Sequence, residues 1–281
     1  MQHAHNNHEL ITHIQEWKQQ GQSIAFVPTM GNLHAGHLSL LKLGRQRADK
    51  LVSSIFVNPM QFAPHEDLDK YPRTLEQDCK ALMEQQCDLV YTPTDQELYP
   101  QGMAHMSVVQ VPDVTARFEG EFRPGHLNGV STIVLKLFNL VQPDIAVFGK
   151  KDYQQWRMIE KMVSDLNLSI SVIAGETVRE TDGLALSSRN QYLDPMQRRQ
   201  AAQLSQQLTQ AAEKIRQGAT DFAQLTGVAR QNLSDAGFEV DYFDICHRHT
   251  LQPAQSPEPL VILAAARIGQ TRLIDNIEVQ P

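Results

Sequence analysis

Ser23-Ile24-Ala25-Phe26-Val27-Pro28-Thr29-Met30-Gly31-Asn32-Leu33-His34-Ala35-Gly36-His37 joins a short apolar run to a glycine-bearing turn and the start of an amphipathic stretch. Ser23 to Pro28 predicts a strand, and Gly36 to Ala48 predicts a helix with Leu38, Leu41 and Ala48 on one face. The alternation continues outward. Leu51–Val57 is a second strand, rich in β-branched residues. A helix follows over Thr74–Gln86, then a short strand at Asp88–Tyr91 and an edge strand at Val108–Val111. Gly125–Val141 is a helix apolar nearly all round, hence buried, and Pro143 stops it. A strand at Ile145–Phe148, a helix over Asp152–Leu166 and a strand at Ser169–Ala174 complete the series. Strand–helix alternation of this kind predicts an α/β fold, a Rossmann-like doubly wound parallel sheet with helices on both faces. Ligands then bind beyond the carboxyl ends of the strands, where strand order reverses.

The last third has another texture. Asp194-Pro195 is a helix start, an N-cap aspartate with proline in the first turn, and Leu204, Leu208, Ala211 and Ile215 form one face up to Gly218. A second helix spans Asp221–Ala236, and three strands follow at Glu239–Cys246, Pro259–Ala266 and Thr271–Asn276. Two helices and three strands predict a smaller C-terminal α+β domain. The expected division is residues 1–176 and 177–281, with the boundary near Gly175–Thr181.

The bulk properties of these 281 residues exclude several classes. Apolar content of 41% and charged content of 20% are those of an ordinary globular protein. No apolar run approaches the roughly 20 residues of a membrane helix. The terminus with His3, His5 and His8 lacks the apolar stretch of a signal peptide and reads as a frayed polar end, so the cytoplasm is the expected location. Cys79, Cys87 and Cys246 form no Cys-x-x-Cys pair, which opposes a disulfide framework or a cysteine-rich zinc site. A net charge of −7 argues against a nucleic-acid partner. A small anion remains possible if the few cations converge.

The turn after the first strand suits such an anion. Gly31 and Gly36 permit close backbone approach, and a helix amino terminus offers N–H groups to phosphate. His34 and His37, three apart, share one face of the first turn, and a nearby anion favours their protonated form. The plain alternative is a tight turn with two surface histidines. The position directly after a strand favours the phosphate role.

His34-Ala35-Gly36-His37 resembles the HIGH signature of the adenylate-forming nucleotidyltransferase superfamily. Leu186-Ser187-Ser188-Arg189-Asn190 looks like that superfamily's second signature, a basic loop that closes over the triphosphate. Five further segments narrow the resemblance. They are Phe56-Val57-Asn58-Pro59-Met60-Gln61-Phe62, Tyr71-Pro72-Arg73-Thr74, Arg123-Pro124-Gly125-His126, Phe148-Gly149-Lys150-Lys151-Asp152-Tyr153-Gln154-Gln155 and Arg272-Leu273-Ile274-Asp275-Asn276. With them the chain resembles the pantothenate synthetase (pantoate–β-alanine ligase) family from about Ile24 to Asn276. Departures are Lys150, where relatives often carry Glu or Gln, and Leu127, where an aromatic is common.

The resemblance implies an ATP-dependent, AMP-forming ligase and a site residue by residue. Met30, Gly31, Asn32, Leu33, His34, Ala35, Gly36 and His37 would contact ATP, as would Gly149, Lys150, Lys151 and Asp152. Val178 would lie near adenine, and Leu186, Ser187, Ser188 and Arg189 would close over the phosphates. His34, His37, Lys151 and Arg189 would stabilise the leaving group. Gln61 and Gln155 would hold pantoate, with Gln61 also touching β-alanine, and Asn58, Arg123 and His126 would line the same cleft. Magnesium is expected with the triphosphate, with Asp78 a candidate ligand, while Glu66-Asp67-Leu68-Asp69 reads as a solvated loop. The resemblance also implies a homodimer. Physics supports the glutamines independently, because a neutral amide orients a carboxylate without dulling its nucleophilicity as an arginine pair would. Two rivals stand beside this reading: an adenylyltransferase that stops at the nucleotidyl product, and a synthetase-like RNA binder.

Overall fold

The computed structural model describes residues 1–64, 66–254 and 258–280. The chain packs as two units, Met1–Lys150 with Gln155–Glu176, and Lys151–Gln154 with Thr177 onward.

The first unit is built on β1 (Gln2–Ala4), α1 (Asn7–Gln19), β2 (Ile24–Thr29), α2 (Ala35–Arg45), β3 (Lys50–Ile55), α3 (Leu75–Glu84), β4 (Leu89–Tyr91), the short α4 (Asp95–Leu98) and α5 (Glu119–Phe122), α6 (His126–Val141), β5 (Ile145–Gly149), α7 (Tyr153–Asp165) from Gln155 onward and β6 (Ser171–Gly175). The sheet order is β1-β4-β3-β2-β5-β6, and every pairing is parallel. Strands buried on both faces need near-continuous apolar runs, and Ile24 to Val27 is one such run, wholly buried. On α2, Leu41 and Gly44 face the core, and α6 buries ten residues, as its all-round apolar pattern requires.

Two expectations fail here. The histidine-rich terminus is ordered: Gln2–Ala4 pairs in parallel with Leu89–Tyr91, and His3 Nε2 meets Thr92 Oγ1 at 2.7 Å. Asn6 then caps α1 by accepting from Glu9 N, and Leu10, Ile14 and Trp17 carry that helix into the core. Val108–Val111 joins no strand. At its Val109, α6 side chains take the place of a partner strand: Val109 N donates to Thr132 Oγ1 at 2.9 Å, and Ser131 Oγ donates to Val109 O at 2.6 Å.

The second unit has α8 (Pro195–Arg216) and α9 (Phe222–Asp235) packed on the antiparallel sheet β7 (Glu239–His247), β8 (Leu260–Ile268) and β9 (Thr271–Val279), in that order. Asp194 and Gln197 form a capping box, with Pro195 in the first turn. Leu204, Leu208, Ile215, Leu233, Phe243 and Ile262 belong to one buried cluster. All three cysteines are free thiols. Among the described residues, no helix is long and apolar enough to cross a membrane.

Candidate active site

Strand order reverses between β2 and β5. The chain builds outward from β2 to β3 and β4, then returns to the other side of β2 with β5 and β6. The β2–β3 ladder holds from Ile24↔Lys50 to Thr29↔Ile55, whereas β2 and β5 pair only at Ala25↔Ile145 and Phe26↔Ala146. Pro28 has no N–H with which to extend a ladder. The two strands therefore separate toward their carboxyl ends, at Thr29 and Gly149, where a doubly wound sheet takes its ligand.

Past Thr29 the backbone enters the left-handed region twice, at Gly31 (φ 83°) and Asn32 (φ 50°). That bend turns the N–H groups of Asn32 and Leu33 onto the Asp78 carboxylate at 2.9 and 2.8 Å, and Thr74 Oγ1 also meets Asp78 at 3.1 Å. Asp78 is 2% exposed. Both its oxygens are committed to the turn, so its role here is anchor, not open metal ligand. Among the described residues, no group of three or more His, Cys, Asp and Glu could hold a metal ion.

His34 caps α2: its Nδ1 accepts from Gly36 N at 3.1 Å, and His37 Nδ1 accepts from His34 N at 3.3 Å. The rings lie 4.1 Å apart between centroids. A ring nitrogen that accepts from an N–H carries no proton, so the proton of each neutral ring sits on Nε2. Backbone N–H groups thus fix Nδ1 of both rings as acceptors, and Nε2 is the donor nitrogen of each.

Gln61 ends a one-turn helix, Pro59–Gln61, and is 8% exposed. The orientation of its amide follows from Asn58. Met60 N and Tyr99 OH meet Asn58 Oδ1 at 3.3 and 2.5 Å, and Asn58 Nδ2 faces Gly129 O at 3.2 Å. The Met60 donor and the Gly129 acceptor leave only one orientation for Asn58, so its Nδ2 donates to Gln61 Oε1 at 3.2 Å. Gln61 Nε2 then donates to Met30 Sδ at 2.8 Å. All four hydrogen-bonding positions of the Asn58 amide are used, so Asn58 orients Gln61 and has no capacity left for a ligand. Gln61 keeps one donor and one acceptor position.

Gly129 makes this approach possible. A Cβ there would lie 2.3 Å from Met60 O and 2.8 Å from Gln61 N. Gly129→Ala is expected to destabilise by about 1–3 kcal/mol in urea unfolding, although alanine favours a helix. Gly227→Ala on α9, where nothing lies within 4 Å, should instead stabilise by up to about 1 kcal/mol. Equal effects at both positions would contradict the close approach.

Arg123 and His126 hold the same turn from the other side. Arg123 donates from Nε and Nη2 to the two Glu66 oxygens at 2.6 and 2.7 Å, and from Nη1 to His126 Nε2 at 2.9 Å. Its Nη1 lies 3.5 Å from Glu119, and Nη2 reaches Gln61 O at 3.5 Å. His126 Nδ1 donates to Gln61 O at 2.7 Å. Every guanidinium donor has a protein partner, so Arg123 and His126 clamp the Gln61 backbone instead of presenting charge to a ligand. Glu66 is correspondingly no solvated loop residue. Burial raises its carboxyl pKa, but hydrogen bonding and attraction to Arg123 outweigh that and leave it lowered.

Burial, then Arg123, pushes His126 down to about 4. Between its ordinary 6.5 and about 4 the unfolded chain binds the extra proton and the folded one does not. The contribution is full above 6.5 and is lost as pH falls toward 4, on the order of 3 kcal/mol in all. Thermal midpoints from pH 7 to pH 4.5 should fall, and His126→Gln should flatten that slope. An identical slope in the variant would contradict a buried neutral imidazole.

Gly149 ends β5, and Lys150–Asp152 form one 3₁₀ turn leading into α7. Lys150 Nζ pairs with Glu176 at 2.6 Å, which offsets the added cation. Gln155 on α7 is half-buried. In the second unit, Lys151 Nζ lies 3.9 Å from Asp152. Val178 and Leu186 face one another across a small hairpin, Leu186 N donating to Val178 O at 3.0 Å, with an Arg179↔Ala185 bridge inside it. Ser187 Oγ caps the following turn by accepting from Arg189 N at 3.3 Å, which leaves the hydroxyl proton to donate. Ser188 and Arg189 open that turn, Ser188–Tyr192, and are half-buried.

The structure therefore joins Met30, Asn58, Gln61, Arg123 and His126 in one network, and Asp78 to Asn32 and Leu33. Sequence reasoning missed Glu119 and Tyr99 and read Glu66 as part of a solvated loop, and all three complete that network. Glu119 stands four residues before Arg123, a helical ion-pair spacing that could have flagged it.

Comparison with known proteins is consistent along the whole chain. The family model for pantoate-beta-alanine ligase matches residues 2–278. A pantothenate synthetase of Colwellia psychrerythraea is 50% identical over 277 residues, covering 96% of each chain. A crystal structure of the Thermus thermophilus pantothenate synthetase superposes with a TM-score of 0.94 at 42% identity, covering 100% of both chains. The Francisella tularensis pantoate-beta-alanine ligase, solved with beta-gamma ATP and beta-alanine, gives 0.82 at 32% identity, covering 99% of this chain and 97% of that one.

Proposed function

The chain belongs to the pantoate-beta-alanine ligase family, and from that premise we propose that it joins (R)-pantoate to β-alanine at the expense of ATP. A pantoate carboxylate oxygen attacks the α-phosphorus of ATP, forming the acyl–oxygen–phosphorus link of pantoyl-adenylate as pyrophosphate leaves. The β-alanine amine then attacks the acyl carbon. The carbon–oxygen bond breaks, AMP departs, and the amine loses a proton. No covalent enzyme intermediate is needed.

The observation that carries this reading is the direct contact of Met30 Sδ with Gln61 Nε2. It puts Met30, at the head of the segment that leads into His34 and His37, against a buried, pre-oriented amide, and attack of a carboxylate on a bound nucleotide requires such fixed neighbours. In this reading the Nε2–H groups of His34 and His37 donate to phosphate oxygens, and Gln61 with Gln155 orients pantoate. Gly149, Lys150, Lys151 and Asp152 hold the nucleotide, and Val178 lies near adenine. Lys151, Ser187, Ser188 and Arg189 stabilise charge on the leaving pyrophosphate. Asn58, Arg123 and His126 act one step back, through Gln61. Because Asp78 is committed to the turn, magnesium enters as part of the substrate, chelated by ATP and keeping most of its waters. Consumption of ATP fits the cytoplasm, and a homodimer is the assembly that sedimentation should report.

Product analysis by mass spectrometry tests the proposal, with ATP, pantoate and β-alanine each omitted in turn. Pantothenate and AMP should appear together, and only with all three. A nucleotidyl product that accumulates and is not consumed by β-alanine would identify the rival adenylyltransferase.

A further inference from the structure

Two neighbouring residues of β9 hold two separate segments of the second unit. Asn276 Nδ2 donates to the Lys151 carbonyl at 2.9 Å. Asp275 receives the Arg179 guanidinium in a fork, Nη1 to Oδ2 at 2.6 Å and Nη2 to Oδ1 at 2.9 Å. Arg179 also donates to Gly183 O at 3.0 Å and to Asn276 O at 3.2 Å. It thereby closes the hairpin whose second arm, through Ala185 and Leu186, runs directly into Ser187, Ser188 and Arg189. Successive side chains of a strand leave opposite faces, so adjacent residues can serve different partners.

Asp275 and Asn276 are 4% and 6% exposed. Burial pushes the Asp275 carboxyl up, and Arg179 pulls against it. A buried ion pair adds little stability over an apolar pair of equal volume. What a two-point fork and an amide–carbonyl bond add is fixed geometry.

We propose that Asp275, Asn276 and Arg179 are positioning residues for adenylate formation: they tie Lys151 and the Ser187–Arg189 turn to one strand, which sets both cationic groups at a fixed spacing. This rests on the reading above that Lys151 and Arg189 act on the ATP phosphates.

The test is pantoate-dependent exchange of pyrophosphate into ATP, in single and double variants. Asn276→Asp, similar in size but without the donor, and Arg179→Lys, which keeps charge but loses the fork, should each lower kcat for exchange roughly tenfold to a hundredfold. The KM for β-alanine in the complete reaction should not change. In a Lys151→Ala background Asn276→Asp should add less than about a further twofold, and Arg179→Lys likewise in Arg189→Ala, because each acts through the residue already removed. Losses that multiply in full would overturn the proposal and assign these residues to general stability. If Asn276→Asp does not fold, Asn276→Ala is read by the same criterion. Parental exchange in Lys151→Ala and Arg189→Ala alone would reject the roles of those two residues. Losses there with parental exchange in Asn276→Asp and Arg179→Lys would reject only the positioning claim.

Discussion

Lys151→Ala is expected to slow adenylate formation by about 10²–10³, the effect of removing one preorganised charge-stabilising group. The charge that builds during this step lies on departing pyrophosphate. Lys151 is suited to meet it, since its side chain is only 20% exposed and the Asp152 carboxylate beside it stands 3.9 Å away, too far for a close pair. The second step, attack of the β-alanine amine on the acyl carbon, expels AMP and leaves no pyrophosphate to stabilise. The variant supplied with synthetic pantoyl-adenylate and β-alanine should therefore form pantothenate at close to the parental rate. Single-turnover kinetics of the two half-reactions measure this split. Equal slowing of both would mean that Lys151 shapes the site generally, and normal adenylate formation would remove it from the chemistry.

Arg123→Ala is expected to destabilise the protein by about 3–5 kcal/mol, because it leaves buried carboxylates without their cation. The Glu66 and Glu119 side chains are 16% and 8% exposed, and both lie within 3.5 Å of that guanidinium. Had Arg123 been a substrate-binding cation, as the motif suggested, its loss would raise the KM for pantoate and leave the unfolding midpoint almost unmoved. The network in the structure predicts the reverse order of effects: a large fall in stability, with a loss of activity that follows from a displaced Gln61 carbonyl. Urea unfolding beside steady-state kinetics distinguishes the two. Arg123→Lys should recover part of the stability but not the fork to Glu66.

The limits of sequence reading show in particular elements. Ile24–Thr29 and Ala35–Arg45 were legible because a continuous apolar run and a helical period are local signals. Gln2–Ala4 was not, since three residues with two polar side chains carry no period, and their partner strand lies at Leu89–Tyr91. Val108–Val111 shows the opposite error. Its composition is that of a strand, yet hydroxyls on α6 hold the backbone of Val109 at its centre. In the site, the Pro28–His37 stretch announces itself through spacing. The partners of its turn do not, because Asp78 stands 46 residues from Asn32. Glu66 lies 57 residues from Arg123, and Asp275 lies 96 from Arg179. Whether a carboxylate is a metal ligand, a solvated charge or an anchor depends on the donors that face it, and those are set by topology.

The most direct test of the chemistry follows one oxygen atom. Pantoate labelled with ¹⁸O in its carboxylate is incubated with the protein, ATP, magnesium and β-alanine, and the nucleotide product is analysed by mass spectrometry. Attack on the α-phosphorus followed by cleavage of the acyl carbon–oxygen bond leaves one labelled oxygen in AMP. Unlabelled AMP, or label recovered in inorganic phosphate beside ADP, would contradict an acyl-adenylate.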